Sequence, residues 1–118
     1  MNKYDPQKVV IQLSTDEVEV HKAVIAQISN LVGAIPSIRI ELVVHSRAIC
    51  FVQKQSHWKG QISSIINNHI SVLVCRNTMD VHELRESDLL PSVEIIPSAV
   101  AHLVIRQSEG WSYLKAGF

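Results

Sequence analysis

Four short apolar runs constrain this chain more than any other feature. They are KVVIQL at Lys8 to Leu13, IRIELVV at Ile38 to Val44, SVLVC at Ser71 to Cys75 and VEII at Val93 to Ile96. Each is brief, β-branched and bounded by polar residues, so each reads as a strand. Between them lie segments whose apolar residues recur at helical spacing. Strands alternating with helices imply a parallel sheet covered on both faces, an α/β fold. Trp111 to Leu114 reads as a final short strand, which brings the sheet to five.

The intervening helices carry their own signals. Ser14-Thr15-Asp16-Glu17 has the form of a capping box, with Ser14 accepting from the Glu17 N–H. Val18, Ile25 and Val32 then recur at seven-residue intervals, with Val24, Ile28 and Leu31 on the same face. Gly33 and Pro36 stop that helix. A helical stretch follows from about Ala48, and Ser56 is placed to cap a second piece lined by Trp58, Ile62, Ile65 and Ile66. Asn67-Asn68 closes it. Asp80-x-x-Glu83 repeats the capping pattern and predicts a short helix through Leu84. Pro97 is expected in the first turn of the last helix, with Val100, Leu103 and Val104 as its buried stripe and Gly110 as its end.

Length and charge narrow the function. The chain has 118 residues, the size of one domain, and shows no repeat or linker, so 1–118 is expected to be a single domain. Hydrophobic residues make up 47% and charged residues 19%, a globular composition. Eleven basic and eleven acidic residues cancel and are scattered, which argues against nucleic acid and anionic membranes as partners. MNKYDPQ lacks the apolar core of a signal peptide, and no apolar run is long enough to span a bilayer. A cytoplasmic protein with reduced cysteines is the expectation. There is no GxGxxG, GxxxxGK[ST] or GxSxG, and no HxH, HxxxH or CxxC. Dinucleotide, P-loop, nucleophile-elbow and zinc chemistry therefore lack their motifs, and no cofactor or metal is expected.

In parallel α/β sheets ligands bind beyond the carboxyl ends of the strands, at a switch point in strand order. That rule gathers Ser14, His45, Cys75 and Pro97 on one rim. Cys75 is the residue of most interest. A helix start nearby would favour its thiolate, the form that attacks a sulfane sulfur or a disulfide. The alternative is a cysteine that packs as a small hydrophobe. His45 is a candidate base or orienter on the same rim. Cys50, between Ile49 and Phe51, is expected to be structural. His21, His57, His69, His82 and His102 form no pattern. Trp111 and Tyr113 fall on one side of the last strand and are expected in core or subunit-interface packing.

Four segments together carry a family resemblance. They are Val43 to His45 (VVH), Val72 to Met79 (VLVCRNTM), Asp88 to Val100 (DLLPSVEIIPSAV) and Gln107 to Leu114 (QSEGWSYL). In order and spacing the chain resembles the DsrE/DsrF-like family from about Lys8 onward. The resemblance implies a three-layer α/β/α domain on a five-stranded, mainly parallel sheet, assembled as a trimer or hexamer. It also implies a sulfur-relay role, with a persulfide on the cysteine after the third strand. Cys75 matches that position, and Asn77 would be a polar neighbour of its sulfur. A sulfur donor or acceptor protein would be the partner. Arg76-Asn77-Thr78-Met79 resembles the CxNS-like pattern of a poorly characterised branch, and Ser46 stands where that branch often has Gly. The other function in view is a non-catalytic oligomeric module that binds a small ligand or a protein, with Cys75 structural.

Overall fold

The computed structural model describes residues 6–117, so the opening MNKYD lies outside it. Five strands alternate with helices: β1 (Lys8–Leu13), α1 (Val18–Ala34), β2 (Arg39–Val44), a 3₁₀ segment (Ser46–Val52), α2 (Lys59–Asn67), β3 (Ser71–Cys75), α3 (Arg76–Val81), β4 (Glu94–Ile96), α4 (Ala99–Ser108) and β5 (Ser112–Lys115). The strands form one parallel sheet in the order β4-β3-β2-β1-β5. Val9, Ile11 and Leu13 pair laterally with Ile40, Leu42 and Val44. With Val72 and Val74 they form the larger core, against α1, α2 and the 3₁₀ segment. The alternate residues Val10, Val43, Leu73 and Cys75 face the other way and pack under Ala99 and Leu103 of α4 and under Trp111. The result is the three-layer architecture, with helices on both faces. Among the described residues no helix is long and apolar enough to cross a membrane.

β1 and β3 run as their apolar content predicts, because a strand covered on both sides can be continuously apolar. The helices depart from expectation in how they are capped and which way they face. In α1 the buried residues are Val20, His21, Val24 and Ile28, while Val18 is exposed. At about 100° per residue the row Val18, Ile25 and Val32 lies about 100° round from Val20, Val24 and Ile28, so it marks the flank of the buried face rather than its centre. Thr15 Oγ1, not Ser14, accepts the Glu17 N–H at 3.2 Å. Ser56 accepts from the Trp58 N–H at 3.1 Å, one turn ahead of α2. Pro97 lies outside α4, whose N-cap is Ser98, accepting from Ala101 N–H at 3.3 Å. Val100 and Val104 are 62% and 67% exposed, and the inner side of α4 is Ala99 and Leu103. The last strand starts at Ser112, leaving Trp111 buried just before it and Tyr113 37% exposed.

One polar group is sunk into the face beneath α4. Glu41, in mid-β2, has a buried carboxylate. Its Oε1 accepts from His102 Nε2 at 2.7 Å and Arg106 Nε at 2.9 Å, and its Oε2 accepts from Arg106 Nη2 at 2.7 Å. Burial pushes the carboxyl up, but the bonds and charges of Arg106 and His102 outweigh it and hold Glu41 below its ordinary value. The triad locks the register of α4 over β2. Arg106 also lies 4.5 Å from the Trp111 ring, joining helix and strand end through a cation–π contact.

Candidate functional site

Parallel strands put all their carboxyl ends on one edge, and Pro97, Cys75, His45 and Ser14 follow one another along it in that order. The strand order reverses between β1 and β5, so the switch-point crevice opens there. Gln12, Ser14, Thr15, Glu17 and Lys115 line it, around about 240 Å³. Cys75 ends β3, two strands away. Ser14 and Cys75 therefore share an edge but not a site.

The surroundings of Cys75 follow from where α3 begins. Asp80-x-x-Glu83 does not open that helix. It starts at Arg76, directly after the strand, with Cys75 as N-cap. Asp80 is in its last turn, and Glu83 follows it with φ of 55°. The strand-to-helix junction thus brings the first-turn N–H groups of Asn77 and Thr78, with the Thr78 hydroxyl, toward the sulfur. The start of α4 approaches from the neighbouring loop, and Ala99 N–H donates to Cys75 Sγ at 3.3 Å. Burial pushes the thiol up. The Ala99 N–H, then the N–H and hydroxyl of Thr78 and the N–H of Asn77, more than offset it and leave Cys75 below the ordinary thiol value. Cys75 is 5% exposed. Asn77 contributes its backbone N–H, while its side chain faces solvent. With Ser46, Thr78, Val81 and His82 it lines a depression of about 220 Å³ beside the junction.

His45 follows the last β2–β3 register pair, Val44↔Val74, and is therefore the lateral neighbour of Cys75. Its ring does not engage the sulfur. Gln12 Nε2 meets His45 Nε2 at 3.0 Å, and His45 Nδ1 meets Ser46 Oγ at 2.9 Å. An amide nitrogen only donates, so Nε2 accepts and the proton of the neutral ring is on Nδ1. Burial lowers the His45 pKa, which keeps that neutral form. Ser46 has φ of 56°, a left-handed conformation that glycine adopts more easily, and its N–H donates to Thr78 Oγ1 at 3.0 Å. Thr78 is the group that sequence reasoning missed. Only its spacing of three from an N-cap cysteine could have revealed it, and that required the correct helix start.

Cys50 corrects the other cysteine expectation. The 3₁₀ segment turns Ala48, Ile49, Phe51 and Val52 inward and leaves Cys50 exposed, its Sγ donating to Arg47 O at 3.5 Å. Desolvation and the charge of Asp16 push its thiol up. Among the described residues no cluster of His, Cys, Asp and Glu is arranged to hold a metal ion.

A five-stranded parallel α/β domain with an N–H-cradled cysteine at the end of its third strand defines a structural class. The chain belongs to the DsrE/DsrF-like family, whose model matches residues 7–116. A protein of unknown function from Methanobacterium thermoautotrophicum superimposes with a TM-score of 0.91 at 29% identity, over 92% of this chain and 98% of that one. The ychN protein of E. coli gives 0.75 at 14% identity, over 94% and 99%. A conserved protein of unknown function from Bacteroides thetaiotaomicron gives 0.77 at 13%, over 92% and 94%. The last two likenesses concern the fold alone. No functionally curated protein shows significant similarity to the chain.

Proposed function

We propose that the protein is a cytoplasmic sulfur carrier that holds a persulfide on Cys75. The observation that carries this is the cradle around the sulfur: Ala99 N–H at 3.3 Å, with the Asn77 and Thr78 groups, stabilises a thiolate at the sheet rim. The Cys75 thiolate attacks the outer sulfur of a donor persulfide. The donor S–S bond breaks, a new S–S bond to Sγ forms, and the donor leaves as a thiolate with the electron pair. The sulfane sulfur keeps its oxidation level, so the step needs no oxidant, reductant or cofactor. An acceptor thiolate then removes that sulfur by the same exchange and frees Cys75. His45 orients the rim rather than acting as base, since both its nitrogens are engaged by Gln12 and Ser46.

The carrier acts as a homo-oligomer, a trimer or hexamer. Val100, Val104 and Ile105 of α4 stand out of the fold, an apolar strip of the kind that contacts between copies cover. Sedimentation of wild type against Val104→Asp tests this. A fully monomeric wild type would exclude it.

Intact-mass measurement after incubation with a sulfane-sulfur donor tests the carrier. Wild type and Cys50→Ser gain one sulfur atom, and Cys75→Ser gains none. A different reading, a non-catalytic binding module, draws on the 5% exposure of Cys75. It requires that folded, reduced wild type gain no sulfur and that Cys75→Ser leave assembly intact.

A further inference from the structure

The rim carries a chain of hydrogen bonds that starts on the edge strand and ends at the sulfur. Tyr113 O–H donates to Gln12 Oε1. Gln12 Nε2 donates to His45 Nε2 at 3.0 Å, and His45 Nδ1–H donates to Ser46 Oγ at 2.9 Å. Ser46 N–H donates to Thr78 Oγ1 at 3.0 Å. That bond occupies the Thr78 oxygen and leaves its own proton to face Cys75. Every donor in the sequence β5, β1, β2, α3 points the same way. The series enters Ser46 at Oγ and leaves it from the main-chain N–H, so what it passes on is the placement of Ser46, and through that the placement of the Thr78 hydroxyl beside the sulfur.

Ser46 supplies a second observation. A non-glycine residue at φ of 56° is strained and persists only where its surroundings over-determine it. Its side chain is held by His45 and its N–H by Thr78, so the strain sits at the middle link. The strain is spent on aiming the Ser46 N–H at Thr78.

We propose that Tyr113 and Gln12 are positioning residues for the Cys75 thiolate, acting from the far side of the sheet through His45, Ser46 and Thr78. This regulation of the site rests on Cys75 working as a thiolate, as proposed above. The chain joins the switch-point crevice, which Gln12 lines, to the sulfur two strands away. The titratable and charged groups on this rim are His45 after β2, Glu17 before α1, Tyr113 and Lys115 on β5, and Arg76, Glu86 and His82 around α3. Arg76 and Glu86 neutralise each other at 3.0 Å.

The test is a pH titration of the Cys75 thiolate by ultraviolet absorbance, in the full chain carrying Cys50→Ser. Tyr113→Phe keeps the exposed ring and removes only the donor. We expect it to lower the thiolate fraction on the acid side of the midpoint by about 1.5-fold, the part of one hydrogen bond that survives passage through the intervening residues. Gln12→Leu should do the same, and the double variant should do no more than either, because both cut one chain. Thr78→Val removes the last link and should cost about tenfold. A midpoint unmoved by Tyr113→Phe overturns the proposal, as does a double variant whose effect is the sum of the two. Circular dichroism establishes that each variant is folded, and Tyr113→Phe alone decides the matter if Gln12→Leu is not. No sulfur donor is used, so a failure of persulfide loading and a failure of the relay are separate results.

Discussion

Replacing Glu41 by alanine should be among the most costly single changes in the chain. The carboxylate accepts three short bonds, at 2.7, 2.9 and 2.7 Å, from two side chains of α4. Its side chain is only 9% exposed. Removing one partner of a buried pair costs about 3–5 kcal/mol, since the cations left behind stay desolvated. Arg106 is 26% exposed and keeps Glu109 at 2.9 Å, which selects the lower end, about 3 kcal/mol. For a chain of this size that is about 12 °C in Tm. Chemical denaturation of wild type and Glu41→Ala at neutral pH measures it. The pH dependence follows with a definite sign. Glu41 has a folded pKa below its unfolded one. Its contribution is therefore complete above the unfolded value, about pH 4.3, and is lost as pH falls through the folded value. The difference between wild type and variant should be level near neutrality and shrink in acid. A cost under about 1 kcal/mol, or one that does not change in acid, would refute the account of α4 as clamped by a buried ion triad. The double variant Glu41→Met, Arg106→Leu should recover most of the loss, because matched apolar groups carry no desolvation cost.

Three further outcomes are expected. Cys75 and Cys50 should exchange order with the reagent: a small alkylating agent near neutral pH modifies Cys75 first, whereas a bulky maleimide at alkaline pH takes the exposed Cys50 first. Peptide mapping that found one order for both reagents would contradict the cradle. Ser46→Ala should cost about 1 kcal/mol by losing the His45 bond while keeping the strained φ, and Ser46→Gly should be near neutral because relief of strain offsets that loss; equal melting shifts for the two would be the contrary result. His45 should titrate below the ordinary histidine value by NMR, and the stability it contributes should be full above about pH 6.5 and fall away in more acid solution. A midpoint at or above the ordinary value would mean the ring is not held neutral.

Much of the fold could be read from composition at the level of single strands. KVVIQL and SVLVC start and stop where the structure has them, because a run of β-branched residues with polar ends has few other uses. The faces of the helices were harder. Val24 and Ile28 go inward as their spacing predicts, while Val18 and Val32, grouped with them through Ile25, stay exposed and Val20 and His21 take the inner face. The two rows lie about 100° apart on a straight helix, so both look apolar in sequence and only packing against the sheet decides which one is central. In α4 the apolar residues were identified but their partner was not. Val100 and Val104 point to solvent, because an apolar stripe carries no label for whether its own sheet or another chain covers it.

The site was half legible for a related reason. Cys75 and His45 stand out as strand-ending residues, and parallel pairing makes them neighbours. What ties them together lies in groups that have no sequence signature. The Ala99 N–H is a main-chain donor, and main-chain donors are invisible in a side-chain pattern. The capping pattern at Asp80 competed with the true helix start at Arg76, where the N-cap is the cysteine itself, a residue outside the usual Ser, Thr, Asp and Asn caps. Displacing the helix by four residues hid Thr78, and with it the connection through Ser46 to His45. The same displacement put the expected helix start five residues beyond Cys75, when the helix begins at the next residue. A cysteine at the N-cap, turned between two helix starts, meets converging N–H groups whatever the rest of the rim contains. Its acidity is therefore set first by backbone topology, and the polar side chains of the rim can only adjust a thiolate that the junction of β3 and α3 already favours.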